Sequence, residues 1–277
     1  TGFAQDGREF AVVGLTGDDC AVFVDITDPI NPFEVGRIPG LPSTWRDLKY
    51  WDGHVYVGTE ADEGVKVVDV SNLDNPTLVH TILDFDNNHN IHVYEGFLYV
   101  VGADGHDIWI YDLSNPALPE YVGSWDTEYI HDLEVYNDKA YAMAIYSSTA
   151  YIIDLSDKSD PVTLTSWEYP GKAHDCAVTS DERYLVTADE IEGGYIRIWD
   201  IQDYDNPIEL DAFITDPAHS VHNVYIKENL LYASWYADGT RIFDISDPEN
   251  ITEVAYYDTS EIEGLYVGNW GVYVYLP

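Results

Sequence analysis

One short motif recurs along the chain: a histidine, then Asp or Asn, then an apolar or small residue. It reads His89-Asn90-Ile91, His131-Asp132-Leu133, His174-Asp175-Cys176 and His222-Asn223-Val224. Two further segments fall on the same grid, Arg46-Asp47-Leu48 before and Trp270-Gly271-Val272 after. Their first residues are 43, 42, 43, 48 and 48 positions apart. The chain has nine histidines, so four at one repeat position form a pattern rather than scatter. Imidazole is a favoured ligand for zinc, copper, iron and nickel. Three or four that converge would make a site with an open coordination position. His89, His131, His174 and His222 are therefore candidate ligands for a divalent transition metal, zinc or copper. The Asp or Asn that follows each could fix the ring tautomer. A second reading stays open beside this one: each His bonds a neighbouring backbone and seals a channel around ordered water. Arg46 breaks the row. It would repel a cation, and it suits an anionic ligand or a carboxylate such as Asp47.

The elements that must position these residues follow from a second repeat. A β-branched run closes on Asp and is followed by a turn rich in Ser, Asp, Asn and Pro, as in VFVDITDPINP, IWIYDLSNPALP and IRIWDIQDYDNP. The closing residues are Asp25, Asp69, Asp112, Asp154, Asp200 and Asp244, spaced by 44, 43, 42, 46 and 44. That period is the length of a four-stranded propeller blade. The Asp ends a strand and can accept backbone N–H groups in the turn that follows. In the fourth unit the strands are expected near 133–136, 140–145, 150–155 and 162–167, joined by short polar loops. No stretch sustains a helical period. The first unit starts at Glu9–Leu15, which matches a second strand, so its innermost strand is missing. The C-terminal run Trp270–Tyr275 matches an innermost strand and would supply it, sealing the sheet edges. The expected fold is therefore all-β: one propeller domain over residues 1–277, with six blades closed by the C-terminal strand. Seven blades is the alternative if Gly2–Ala4 forms a strand of its own.

In a propeller the innermost strands line the channel, and their first residues ring its mouth. The loops between second and third strands open on the same face. They carry Glu60, Asp62, Asp104, His106, Tyr146, Asp189, Glu190 and Tyr236, and His92 and His219 lie near ring members in sequence. The expected site is a funnel of imidazoles walled by carboxylates and phenols. Arg46, Tyr146, Asp189, Glu190 and Trp270 are its candidate ligand-binding residues.

Composition narrows the partners. Formal net charge is −39, from 51 acids against 12 bases. Such a field repels phosphate, so nucleic acid and anionic membrane surfaces are poor partners. The acids are scattered, which fits a solvated surface, including one in a salty medium. A calcium-rich surface is the sharper alternative, although no EF-hand or Asp-Gly nonapeptide pattern occurs. No apolar run is long enough to span a bilayer, so membrane insertion is not expected. The 23 Tyr and 8 Trp suit protein interfaces and sugars. Cys20 and Cys176 fall in different repeats and are expected to be free thiols without a catalytic role. The chain opens at Thr1 without Met, as a processed or trimmed product would. There is no Gly-x-Ser-x-Gly, no phosphate-binding Gly-rich loop and no His-Glu-x-x-His. No catalytic residue can be assigned.

Several segments together resemble LVIVD-repeat proteins, particularly the choice-of-anchor B family. They are residues 7–14, Trp45-Arg46-Asp47-Leu48-Lys49, His89-Asn90-Ile91, Ile130-His131-Asp132, Asp181-Glu182-Arg183-Tyr184-Leu185 with Asp189-Glu190, His222-Asn223-Val224-Tyr225 and residues 268–273. The resemblance runs along nearly the whole chain. It implies a secreted, extracellular or cell-surface propeller of bacterial or archaeal origin, often joined to a variable C-terminal anchor, and it implies no activity. Two features depart from the family. The usual His-Gln-Gly-Trp stretch reads His174-Asp175-Cys176-Ala177, and the strands beyond the last Trp-Gly segment, with any anchor, are not expected in this chain.

Two functions follow. One is a binding or scaffold module for other surface proteins, copies of itself, a carbohydrate or a small anionic ligand. The other is a metal-dependent hydrolase, lyase or oxidoreductase built on the four histidines. There Asp189, Glu190 or Tyr146 would act as acid or base, and Arg46 would hold an anionic substrate.

Overall fold

The apolar, β-branched run that closes on Asp becomes the third strand of a four-stranded sheet, six times over. The computed structural model describes residues 1–259, 261, 262 and 264–274. The chain divides into two compact units, taken in turn.

The first unit holds Thr1–Glu128 and Asp157–Pro161. Its sheets are β1 (Gly2–Gln5), β2 (Arg8–Leu15), β3 (Cys20–Asp25) and β4 (Phe33–Pro39); β5 (Leu48–Trp51), β6 (His54–Val57), β7 (Val65–Asp69) and β8 (Thr77–Ile82); and β9 (Asn90–Tyr94), β10 (Phe97–Val101), β11 (Ile108–Asp112) and β12 (Glu120–Trp125). The second unit holds Tyr129–Ser156 and Val162–Val274. Its sheets are β13 (Asp132–Tyr136), β14 (Lys139–Ala144), β15 (Thr149–Asp154) and β16 (Val162–Glu168); β17 (Ala173–Val178), β18 (Tyr184–Asp189), β19 (Ile196–Asp200) and β20 (Ile208–Phe213); and β21 (Val221–Lys227), β22 (Leu230–Trp235), β23 (Gly239–Asp244) and β24 (Thr252–Tyr257).

Every sheet is antiparallel, with its strands in sequence order. The class is an all-β, six-bladed β-propeller, with no helix among the described residues. The strands expected in the fourth unit agree with β13–β16 to within one or two residues.

The repeated Asp does what its position suggests. Asp25, Asp69, Asp112, Asp154, Asp200 and Asp244 each accept the N–H two residues on, at 2.5–3.0 Å. Two residues before that Asp, every third–fourth strand ladder shifts register by a bulge, from Phe23/Val24 to Ile242/Phe243. Bulges bend and twist the strand that carries them.

The closure of the first sheet differs from expectation. Gly2–Gln5 forms a strand of its own, and it completes the first sheet rather than opening a seventh. The signal is the turn behind it: Asp6 and Gly7 have φ of 53° and 77°, like Asp52 and Gly53 at 41° and 76°. Two left-handed residues in a row make the two-residue hairpin whose twist matches the strands. The register pairs Phe3 with Phe10, and Phe3 stacks on Phe10 and Tyr50 at 5.2 and 4.4 Å. With that edge filled, Trp270–Val274 carries no strand, and Tyr275 lies outside the described residues.

The core lies between successive sheets within each unit. Phe10, Phe23, Val55 and Val68 pack on one face of the β5–β8 sheet, and Val65, Val67, Leu98 and Val100 on the other. Both faces are buried, so the central strands read as continuous apolar runs. Each such side chain contributes about 1.5–3 kcal/mol. In the second unit Val186, Ile198, Leu231, Trp235 and Phe243 do the same. Cys20 and Cys176 are buried and free. Burial and the nearby carboxylates of Asp175, Glu134 and Asp132 push the Cys176 thiol far above its ordinary pKa, so it is inert at neutral pH.

Candidate functional site

In the second unit β17 lies against both β13 and β21. His131 immediately precedes β13, and His174 and His222 are the second residues of β17 and β21. Two local irregularities aim them. The β17–β18 ladder passes from Ala173 to Asp175 and skips His174. The β21–β22 ladder passes from Val221 to Val224 and skips His222 and Asn223. Bulges of this kind redirect a side chain. The three rings stand in a row, with centroids 4.7 Å apart from His131 to His174 and 4.5 Å from His174 to His222.

Glu190, just past the end of β18, reaches the same place. Its Oε2 lies 3.6 Å from His174 Nε2, and its Oε1 lies 3.9 Å from His222 Nε2. One ligand atom from each of His174, Glu190 and His222 falls within 4.8 Å of the others, so this trio could hold a metal ion. Both histidines are buried.

Neighbours set the protonation and aim of these groups. His222 Nδ1 bonds the main-chain carbonyl of Trp270. A carbonyl only accepts, so Nδ1 carries the proton and Nε2 presents its lone pair. The Tyr236 hydroxyl donates to Glu190 Oε1 at 2.5 Å. Burial and the Glu190 charge raise the Tyr236 pKa, which keeps that proton in place. Tyr129 OH lies 3.2 Å from His131 Nδ1.

A cavity of about 470 Å³ adjoins the trio, lined by Ile145, Tyr146, Lys172, Glu190, Tyr236, Tyr266 and Trp270. Tyr146 and Trp270 stand at its exposed rim. The Lys172 ammonium donates to the Ile145 carbonyl at 3.4 Å. Lys172, Tyr266 and Ile145 escaped the sequence analysis, although Lys172 sits only two residues before His174.

Asp189 faces elsewhere. Its carboxylate accepts from Arg197 Nε at 2.9 Å, and it is fully buried. Burial pushes its pKa up to about 6, against the pull of Arg197. It lines no part of the cavity.

The residues after the histidines hold main chain. Asp175 Oδ2 accepts from Val224 N at 2.7 Å and from Asn223 Nδ2 at 3.0 Å. Asp132 Oδ1 accepts from Leu133 N at 2.7 Å. Glu134 Oε2 accepts from Val178 N at 2.5 Å. The Asp175 and Glu134 bonds join the first strands of neighbouring sheets, and the Asp132 bond stays within its own strand.

In the first unit His89 Nδ1 pairs with Glu60 Oε1 at 2.8 Å, and the ring stacks on Trp45 at 5.5 Å. The His89 contact lowers the Glu60 pKa. The Arg46 guanidinium donates to the carbonyls of Leu15, Ser43 and Leu41. Those bonds fix the loop before β5. Asp47 instead accepts from Lys49, Leu48 N and Ile91 N.

Comparison with known proteins places this geometry on a shared scaffold. The LVIVD repeat matches residues 46–84, 87–127 and 218–259. No curated protein matches the chain. A functionally unknown protein from Desulfotomaculum acetoxidans DSM 771 has a similar structure, with a TM-score of 0.71 and 14% identity over 89% of this chain and 78% of that one. A protein from Lactobacillus plantarum gives 0.74 and 13%, over 90% and 81%. A 6-phosphogluconolactonase candidate from Bacteroides fragilis NCTC 9343 gives 0.73 and 12%, over 95% and 84%. Identities this low show a common fold and carry no activity across.

Proposed function

We propose that this chain is a binding module whose working site is a transition-metal centre formed by His174, His222 and Glu190, open to the adjoining cavity. One observation carries the reading. The nitrogen–oxygen separations of 3.6 and 3.9 Å are too long for hydrogen bonds. Ligand atoms held about 2.1 Å from one tetrahedral ion lie about 3.4 Å apart, close to the His174 Nε2–Glu190 Oε2 separation, and one ligand atom from each of the three residues lies within 4.8 Å of the others. The Trp270 carbonyl and the Tyr236 hydroxyl are the kind of supporting contacts that orient metal ligands. Two imidazoles and a carboxylate suit zinc, and they suit copper or iron as well. Calcium prefers an all-oxygen set. The formal charge of −39 favours cation capture.

The test is elemental analysis of tag-free protein after zinc loading and dialysis. The expected result is one zinc per chain, falling below a tenth in the His174→Ala/His222→Ala variant. Wild-type protein that holds no stoichiometric metal, from zinc, copper or iron, overturns the reading.

A metal-dependent enzyme is the second reading. With His174, His222 and Glu190 as ligands, a bound metal would keep an open position at which water could be activated. With Asp189 paired to Arg197 and Arg46 tied to carbonyls, Tyr146 is the remaining acid or base among those first considered. Zinc-dependent hydrolysis of an activated ester, lost in Tyr146→Phe with zinc retained, would favour it.

A further inference from the structure

The cavity beside the trio has a composition of its own. Its walls are aromatic, from Tyr146, Tyr236, Tyr266 and Trp270, with Tyr236 and Trp270 edge to face at 5.0 Å. Lys172 is the one cation among its lining residues. In a chain of 51 acids and 12 bases, most cations have a carboxylate partner: Arg8, Arg37, Lys49, Lys66, Lys139, Arg197 and Arg241 all do. Lys172 bonds a backbone carbonyl, and among the described residues no carboxylate pairs with it. Glu190 shares the lining, but among the described residues it forms no ion pair with Lys172, so this ammonium on a largely aromatic wall can receive an anion from outside.

We infer that the cavity binds small organic carboxylates, with Lys172 holding the carboxylate and the Tyr and Trp rings covering a flat or apolar body. The volume of about 470 Å³ suits a ligand of modest size. The inference rests on the metal reading in one respect. Two neutral imidazoles and one carboxylate leave a divalent ion with net positive charge, which gives the ligand a second attraction. Without the metal, Glu190 would oppose an anion, so Lys172 would have to act alone.

The experiment is calorimetric titration of the full chain, zinc-loaded, with benzoate, benzyl alcohol, benzylamine and glucuronate. Benzoate is expected to bind about tenfold or more tightly than the alcohol or the amine, as a charge-assisted contact requires. Lys172→Met should cut that preference severalfold or more and Lys172→Arg should keep it, with thermal midpoints confirming that both variants fold. Glucuronate bound more tightly than benzoate would identify a sugar acid as the body, and the reverse an apolar one. Benzylamine binding as tightly as benzoate, or Lys172→Met retaining the benzoate preference, overturns the inference. Zinc content is measured on the same samples. Absent zinc with Lys172-dependent benzoate binding sinks the metal centre and leaves the carboxylate site standing. Stoichiometric zinc without that binding does the opposite.

Discussion

Tyr236 donates a hydrogen bond from its hydroxyl to Glu190 Oε1 across 2.5 Å, and the other oxygen of that carboxylate faces His174. The phenol therefore fixes which way the carboxylate points. Tyr236→Phe should keep the fold and the apolar wall but loosen Glu190. Zinc affinity, read by competition with a coloured chelator, is expected to fall about 10- to 100-fold. An unchanged affinity would mean that Glu190 is held in place by other contacts.

Glu134 gives a pH-dependent stability with a defined sign. Burial pushes its pKa up to about 8, against the pull of the Val178 N–H. The unfolded chain releases this proton near pH 4, while the folded chain keeps it to about pH 8. Between those values the folded state binds more protons, so stability falls as pH rises, by up to about 1.4 kcal/mol per pH unit. Glu134→Gln keeps an acceptor for Val178 and removes the titration. Its urea midpoint relative to wild type should climb from pH 5 to pH 8, and a constant difference would refute the assignment.

The turn aspartates act in the opposite direction. Hydrogen bonds from Ser114 and Ser71 hold the carboxyls of Asp112 and Asp69 below their ordinary pKa values. Their stabilisation is present above the unfolded pKa, near 4, and is lost as pH falls below it. Asp112→Ala should cost about 0.5–1.5 kcal/mol at pH 7 by urea denaturation, and less at pH 3.

Gly123 marks a place where the chain has no room. A Cβ there would stand 2.4 Å from the Lys158 carbonyl oxygen and 2.8 Å from Ser159 Cα. Both are main-chain atoms, so neither can swing aside. Gly123→Ala is expected to destabilise by about 1–3 kcal/mol. Gly53→Ala, which meets nothing within 4 Å but has φ of 76°, isolates the backbone penalty alone.

The repeat was legible because its parts are local. An Asp that bonds the amide two residues on leaves its mark in every copy, so the blade period could be counted directly. Of the four repeated histidines, His131, His174 and His222 stand side by side in the second unit, as their shared place in the repeat suggests. The structure added what depends on tertiary contact: ladder slips at His174 and at His222 with Asn223, Glu190 brought beside both histidines, and Lys172 on the cavity wall. Arg46 looked available for an anion because nothing in the sequence shows three backbone carbonyls converging on its guanidinium. The role of Gly2–Gln5 could have been inferred, since Asp6-Gly7 matches Asp52-Gly53.

Because Gly2–Gln5 completes the first sheet, all six sheets use uninterrupted stretches of chain, hairpin after hairpin. Their ladders join residues close in sequence, which lowers the entropy lost in forming them. Each sheet can zip as soon as its own forty-odd residues are available, in the direction of synthesis. None has to wait for a distant segment to arrive and supply its missing strand.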